Sequence, residues 1–388
     1  MPDVKVCTGC HRKLPVTAYS PSGNGVRSRC RSCRRTAEAQ PPPSKPPPLD
    51  AVAEHRLQTR VRDLESRCRT LVSDLSDARA HLDLVREVEA AERPSPIVCR
   101  DRSRLPRREA TALACASDWH LEEEVDPAKV AGRNRYNLEI AEQRVRRFFE
   151  SVRWATTYNR SAFTIRDLVL WLGGDLITGY LHPDNVETNQ LSPVNAIAFA
   201  LAHIEAGIRY LLEDPELERI VIPCNDGNHG RLTEKMRVAA RTDNSIEWLL
   251  YTMLARTFAN EPRVTFDVAR GSHVYLDVYG RTIRFTHGDD TRYGGGVGGV
   301  TIPIYKALAR WDTVRRADLT VMGHYHQLTS LRDLIINGSL IGHSPYALSI
   351  GARFEEPAQA FTIIDSLRGK SVSVPLWVAS RDDDEVTS

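Results

Sequence analysis

What this chain of 388 residues lacks narrows its class before any motif is read. No apolar run approaches the roughly 20 residues that a bilayer-crossing helix needs, so no membrane segment is expected. The opening stretch MPDVKVCTGC has no apolar core of the secretory-signal kind, which favours a cytoplasmic protein. Cysteine thins out after the first 33 residues. Only Cys68, Cys99, Cys115 and Cys224 lie beyond, scattered in a way that suits reduced thiols better than a disulfide framework. Net charge is nearly absent too, at +2, but the balance hides an asymmetry. Residues 1–110 carry 22 Lys and Arg against 14 Asp and Glu, or +8, leaving 30 against 36, or −6, for the remainder. Clustered Arg is an electrostatic footprint that nucleic acid satisfies, and solvated charge without a partner is the plainer alternative. The length, with 41% hydrophobic and 26% charged residues, predicts two or three structural units of a globular enzyme.

What is present begins with two CxxC knuckles, Cys7-Thr-Gly-Cys10 and Cys30-Arg-Ser-Cys33, separated by 19 residues. Four thiolates so spaced suit one tetrahedral zinc, and a module over residues 1–40 has too small a core to hold itself together otherwise. Arg27, Arg29, Arg31, Arg34 and Arg35 surround the second knuckle and suit phosphate contacts, with protein docking as the alternative. The stretch CTGCHRKLPVTAYSPS with VRSRCRSCRR resembles the zinc-binding start of phage recombination endonuclease VII-like proteins. That resemblance implies a structural zinc knuckle and not the nuclease activity.

Residues 41–50, with PPPSKPPP, form an extended Pro-rich linker. Over 51–93, apolar residues at Leu57, Val61, Leu64, Cys68, Leu71, Leu75, Ala78, Leu82 and Val85 alternate at spacings of four and three. That heptad seam predicts a coiled coil and a homodimer through residues 54–89; a lone helix with a broader stripe is the alternative. Residues 94–110 read as a basic linker and 380–388 as a polar tail.

From 111 to 379 short apolar runs alternate with helical patterns, and polar residues follow the runs at once, which predicts an α/β domain with one site built from strand-end loops. Those endings are Asp118-Trp-His120, Gly173-Gly-Asp175, Gly227-Asn-His229-Gly, Thr286-His287-Gly and Gly323-His324-Tyr-His326. Each alone is weak; the ordered set resembles the calcineurin-like metallophosphoesterases over about 250 residues. The resemblance implies a four-layer α/β/β/α sandwich and two divalent cations, with Mn favoured and Fe or Zn as alternatives. Such a pair needs a bridging carboxylate, imidazoles around it and a water made more acidic by the metals. Position by position, it implies Asp175 as the bridge, Asp118, His120 and His326 on the first cation, Asn228, His287 and His324 on the second, and His229 as the proton donor to the leaving group.

The family usually places Asp or Glu directly after the residue matching His229, whereas this chain has Gly230 and then Arg231. Asp226 is a candidate substitute, and Arg231 either grips a phosphate oxygen or lies on the surface. His182, in the loop after Asp175, and Arg292, before the run Gly294-Gly-Gly-Val-Gly-Gly299, are further candidate substrate contacts; a turn and a passive loop are the plainer readings. The attachments favour a DNA nuclease, and the resemblance extends to nucleases of the SbcD type, which implies a partner ATPase. The acidic catalytic part favours instead a phosphatase or small-molecule phosphodiesterase, and an adaptor with a degenerate site is the third reading.

Overall fold

A computed structural model describes residues 4–22, 25–38, 51–90, 107–291, 299–349 and 351–379. The Pro-rich linker, nearly all of the basic linker, Arg292 with most of the glycine run, and the tail lie outside the described residues. The chain divides into two compact units, residues 1–100 and 101–388. Among the described residues no helix is long and apolar enough to cross a membrane.

The first unit pairs β1 (Val4–Val6) with β2 (Lys13–Pro15), and β3 (Pro21–Ser22) with β4 (Gly25–Val26), both antiparallel. Helix α1 (Arg31–Glu38) begins within the second knuckle and α2 (Ala51–Ala90) follows. Among the described residues the buried centre of the module is Cys7, Tyr19 and Cys30. On α2 the seam residues Leu57, Val61, Leu64, Leu71, Leu75 and Leu82 are all exposed.

The second unit is a four-layer α/β/β/α sandwich. It contains, in order, β5 (Arg108–Ala116), α3 (Leu138–Asn159), β6 (Phe163–Leu172), α4 (Pro183–Thr188), α5 (Pro193–Leu212), β7 (Arg219–Cys224), α6 (Ile246–Thr257), β8 (Val264–Val268), β9 (Val274–Val278), β10 (Arg281–Phe285), α7 (Thr301–Trp311), β11 (Leu319–Met322), β12 (Thr329–Ser330), β13 (Leu334–Ile336), α8 (Pro345–Ser349), β14 (Ala358–Asp365) and β15 (Gly369–Trp377). One sheet has the order β15-β14-β5-β6-β7-β8, the other β12-β13-β11-β10-β9. In the first, β5 to β8 run parallel; in the second, β10, β11 and β13 do. Strand β5 starts at Arg108, three residues inside the expected basic linker, because Arg108 and Glu109 already pair with Phe163 and Thr164.

The two-residue period of a strand assigns the layers. In β5, Ala112, Ala114 and Ala116 face the core shared with helices, while Leu113 and Cys115 face the other sheet. Strand β6 repeats the scheme, with Leu168, Leu170 and Leu172 on one face and Val169 and Trp171 on the other. Ile283, Phe285, Val321 and Ile335 of the second sheet complete the core between the sheets. Met322, Leu334 and Ile336 point the other way, against Ile304 and Leu308 of α7. Strands buried on both faces carry no polar alternation, which is why these runs read as continuously apolar. Helix α3 presents Ile140, Val145, Phe148, Phe149 and Val152 to the first sheet and is capped by the side chain of Asn137, which accepts from the Ile140 N–H at 2.9 Å. Each such aliphatic or aromatic side chain contributes about 1.5–3 kcal/mol on burial, so the packing fixes where the strands end.

Candidate metal centre

Five strands deliver the motifs: β5, β6 and β7 are neighbours in one sheet, β10 and β11 in the other, and each motif follows a carboxyl end. The loops after β5 and β6 are joined through backbone, with the Asp118 N–H donating to Gly174 O and those of Trp119 and His120 to Asp175 O, at 2.8–3.1 Å. Within the second sheet the Gly323 N–H donates to His287 O, and the two sheets are joined at the same point by the His324 N–H donating to Asp118 Oδ1, each at 2.9 Å.

Seven of the eight motif residues form overlapping clusters, and the eighth, Asn228, adjoins them. Donor atoms of Asp118, His120 and His326 lie within 4.8 Å of one another, as do those of Asp175, His287 and His324, and those of His120, Asp175 and His229. Asn228 Oδ1 is 3.2 Å from His287 Nε2. The rings are oriented from behind. His287 Nδ1 lies 2.8 Å from Gly173 O and His229 Nδ1 3.0 Å from Thr178 O; a carbonyl only accepts, so both nitrogens carry the proton and both Nε2 atoms face inward. His120 Nε2 then meets His326 Nε2 at 3.2 Å. Two ring nitrogens that close require a proton or a cation between them.

This donor set fits a pair of cations. Oxygen and imidazole donors are mixed, Asp175 belongs to two of the clusters, and the space around it is kept clear. A Cβ on Gly227 would lie 2.1 Å from Asp175 Oδ1, and one on Gly323 2.3 Å from Asp118 Oδ2. The backbone points the same way. Of eight described non-glycine residues with positive φ, five are Asp118, His120, Asp175, His324 and His326, at 48–70°. Residues held in this sparsely populated region cluster where function requires a fixed side-chain direction.

Charge is balanced among the same groups. Burial pulls His287 down, but the charge and hydrogen bond of Asp175 outweigh it and hold the imidazolium up to about 10. Asp175 is held well below the usual carboxylate range: burial opposes this, and the neighbouring imidazoles, His287 first, prevail. Burial, then the His287 charge, pushes His324 down to about 4.

The finer substrate expectations fare differently. Arg231 turns its guanidinium to its own loop, donating from Nε and both terminal nitrogens to the carbonyls of Thr233, Asn228 and Glu234 at 3.1–3.2 Å. Asp226 does not stand behind His229; it binds Arg241 at 3.0 Å, and Arg241 binds Asp289 on its other side at 3.0 Å. His182 is exposed at the start of α4, its ring 6.2 Å from that of His229.

Several supporting residues carried no sequence signal. Thr178 joins His120 to Glu123, and Glu122, fully buried, accepts from the N–H groups of Thr178 and Gly179 at 2.9 and 2.7 Å. Gln359 of β14 accepts from Ser117 N–H and Trp119 Nε1. Glu247 of α6 accepts from three backbone N–H groups around Asp175; burial, then the Asp175 charge, pushes it up to about 8. All act across long sequence separations, so spacing could not reveal them.

In the first unit the Sγ atoms of Cys7, Cys10, Cys30 and Cys33 lie within 4.8 Å of one another, as one tetrahedral ion requires. The N–H groups of Cys30 and Gly9 donate to Cys7 Sγ at 3.2 and 3.4 Å and lower its pKa.

No family model matches the chain, and no curated protein does. Similar solved structures include a Vps29 mutant from Entamoeba histolytica, 12% identical, covering 68% of this chain and 98% of that one at a TM-score of 0.28. A predicted phosphoesterase from Streptococcus pneumoniae is 11% identical, covering 69% and 97% at 0.24. A dimetal phosphatase from Danio rerio is 10% identical, covering 69% and 99% at 0.33.

Proposed function

We propose that the second unit is a metal-dependent phosphoesterase that holds two divalent cations, Mn²⁺ in preference, and hydrolyses phosphodiester bonds. The observation that carries the reading is that Asp175 belongs both to a cluster with His120 and His229 and to one with His287 and His324, with Nε2 of His120, His229 and His287 turned inward. Asp118, His120 and His326 would hold one cation, Asn228, His287 and His324 the other, with Asp175 between them. Such cations, when bound, polarise a phosphoryl oxygen and lower the pKa of a water.

The chain's own part is orientation and proton supply. His229 keeps its Nδ1–H on Thr178 O, so Nε2 is the atom that, protonated in the imidazolium form, would hand a proton to the leaving oxygen and be left as part of the neutral ring. Its main-chain N–H donates to Asp175 Oδ1 at 2.8 Å and keeps proton donor and bridge in one register.

DNA is the substrate we favour. Arg27, Arg29, Arg31 and Arg35 of the cysteine module are exposed, as phosphate contacts must be, and would bring the polyanion to an acidic catalytic unit. The exposed seam of α2 would pair with a second copy and double the basic surface. One feature favours a small ester instead: a cavity of about 510 Å³ beside His324 and His326, walled by Tyr325, Tyr346 and Ala347. Mn²⁺-dependent hydrolysis of labelled DNA and of bis-p-nitrophenyl phosphate, side by side, decides. Cleavage of both supports the nuclease, cleavage of the small ester alone supports the second reading, and no cleavage of either with Mn²⁺ bound overturns both.

A further inference from the structure

Glu247 lies in the first turn of α6, where a carboxylate complements the helix N-terminus, and it is completely buried. Its Oε2 accepts from the N–H of Gly227 at 2.7 Å and of Asp175 at 3.3 Å, and its Oε1 from that of Leu176 at 2.6 Å. One side chain thereby ties the loop bearing the shared carboxylate to the loop bearing Asn228 and His229. The helix is fastened to the second loop independently, through the Ile246 N–H donated to Gly230 O at 2.9 Å.

The same side chain explains a local peculiarity. A Cβ built on Gly230 would lie 2.6 Å from Glu247 Cγ, 3.0 Å from Cδ and 3.2 Å from Oε2. Residue 230 must be glycine while Glu247 is in place, and the space in dispute is that of a carboxylate within reach of an acidic side chain rooted at 230. We propose that Glu247 is a positioning residue of the metal centre, locking the Asp175 and Asn228 loops together, and that a carboxylate rooted at 230 can do the same work. This rests on the two-cation reading above. Glu247 touches no reacting atom; it acts through Asp175 and Asn228.

The test uses the full chain as wild type, Glu247→Ala, Gly230→Glu and the double variant, measuring Mn²⁺ affinity and stoichiometry by calorimetry and the KM and kcat for bis-p-nitrophenyl phosphate. Glu247→Ala is expected to weaken Mn²⁺ binding and lower kcat about 10–100-fold with KM little changed, as loss of outer-sphere support does. Gly230→Glu alone is expected to be impaired by the clash, and the double variant to recover most of both losses. Wild-type affinity in Glu247→Ala, or a folded double variant no better than Glu247→Ala, overturns the proposal. If Glu247→Ala does not fold, Glu247→Gln, which keeps the shape but halves the carboxylate, carries the same expectation, and unchanged affinity overturns it. Wild-type protein that binds no Mn²⁺ defeats the two-cation reading itself, and that result stands before any variant is compared.

Discussion

Thr178 Oγ1 stands between His120 Nδ1, at 3.0 Å, and Glu123 Oε2, at 3.1 Å. A hydroxyl has one proton, and a carboxylate takes it; the oxygen must then accept from His120 Nδ1–H, which leaves the lone pair of Nε2 facing the cluster. Thr178→Val, which keeps the shape and removes the relay, should weaken Mn²⁺ binding about 10–100-fold without unfolding the protein. Calorimetric titration checks it, and wild-type affinity would refute the relay.

Asp175 lies between the two proposed cation positions, grouped with His120 and His229 on one side and with His287 and His324 on the other, so its loss cannot be absorbed by one site. Asp175→Ala should abolish hydrolysis of bis-p-nitrophenyl phosphate and reduce Mn²⁺ stoichiometry below two. His324→Ala should empty one site and leave the other measurable, by the same titration.

In the cysteine module three buried side chains make up the centre, far too little apolar area to offset the entropy of ordering it. Cys30→Ala should therefore unfold the cysteine module while leaving Mn²⁺-dependent hydrolysis of the small ester intact. Proteolysis that clips only the N-terminal region would report the first, and an unchanged cleavage pattern would show that no ion holds the module.

The α2 seam predicts a concentration-dependent dimer. Leu64→Lys with Leu71→Lys should give a monomer by sedimentation equilibrium, since charges at the seam are desolvated on pairing. If the wild-type chain already sediments as a monomer, the homodimer reading is wrong.

Away from the centre, Arg160 and Asp214 form an ion pair at 2.7 Å with both side chains more than 90% buried. Removing Asp214 leaves the buried guanidinium with the Ile165 carbonyl and the more distant, exposed Glu216 at 3.6 Å, and breaking a buried pair costs up to about 3–5 kcal/mol. Asp214→Ala should lower the melting temperature markedly while the folded fraction retains full activity.

How much of this was legible in the sequence follows from the range of the interactions. The strand-end motifs were visible because each donor sits within a few residues of its strand, and the apolar runs of β5 and β6 announced doubly buried strands. The alternatives for Arg231 and Asp226 stay open in the sequence because it places a charged group near a site without saying what else lies within its reach. Here the backbone carbonyls of 228–234 and the side chain of Arg241 claim them first. Glu247 and Thr178 were invisible because the first meets Asp175 across 72 residues and the second His120 across 58.

The five left-handed residues of the centre carry one more implication. Each costs an L-residue roughly 1–2 kcal/mol that glycine would not incur. His326 is the clearest case, since its ring is 25% exposed and its one polar contact to a carboxylate is a long 3.4 Å. His326→Gly should yield a protein that melts higher and catalyses less. The centre would then be where this chain trades robustness for reactivity, and a screen for thermal tolerance alone would erode the active site first.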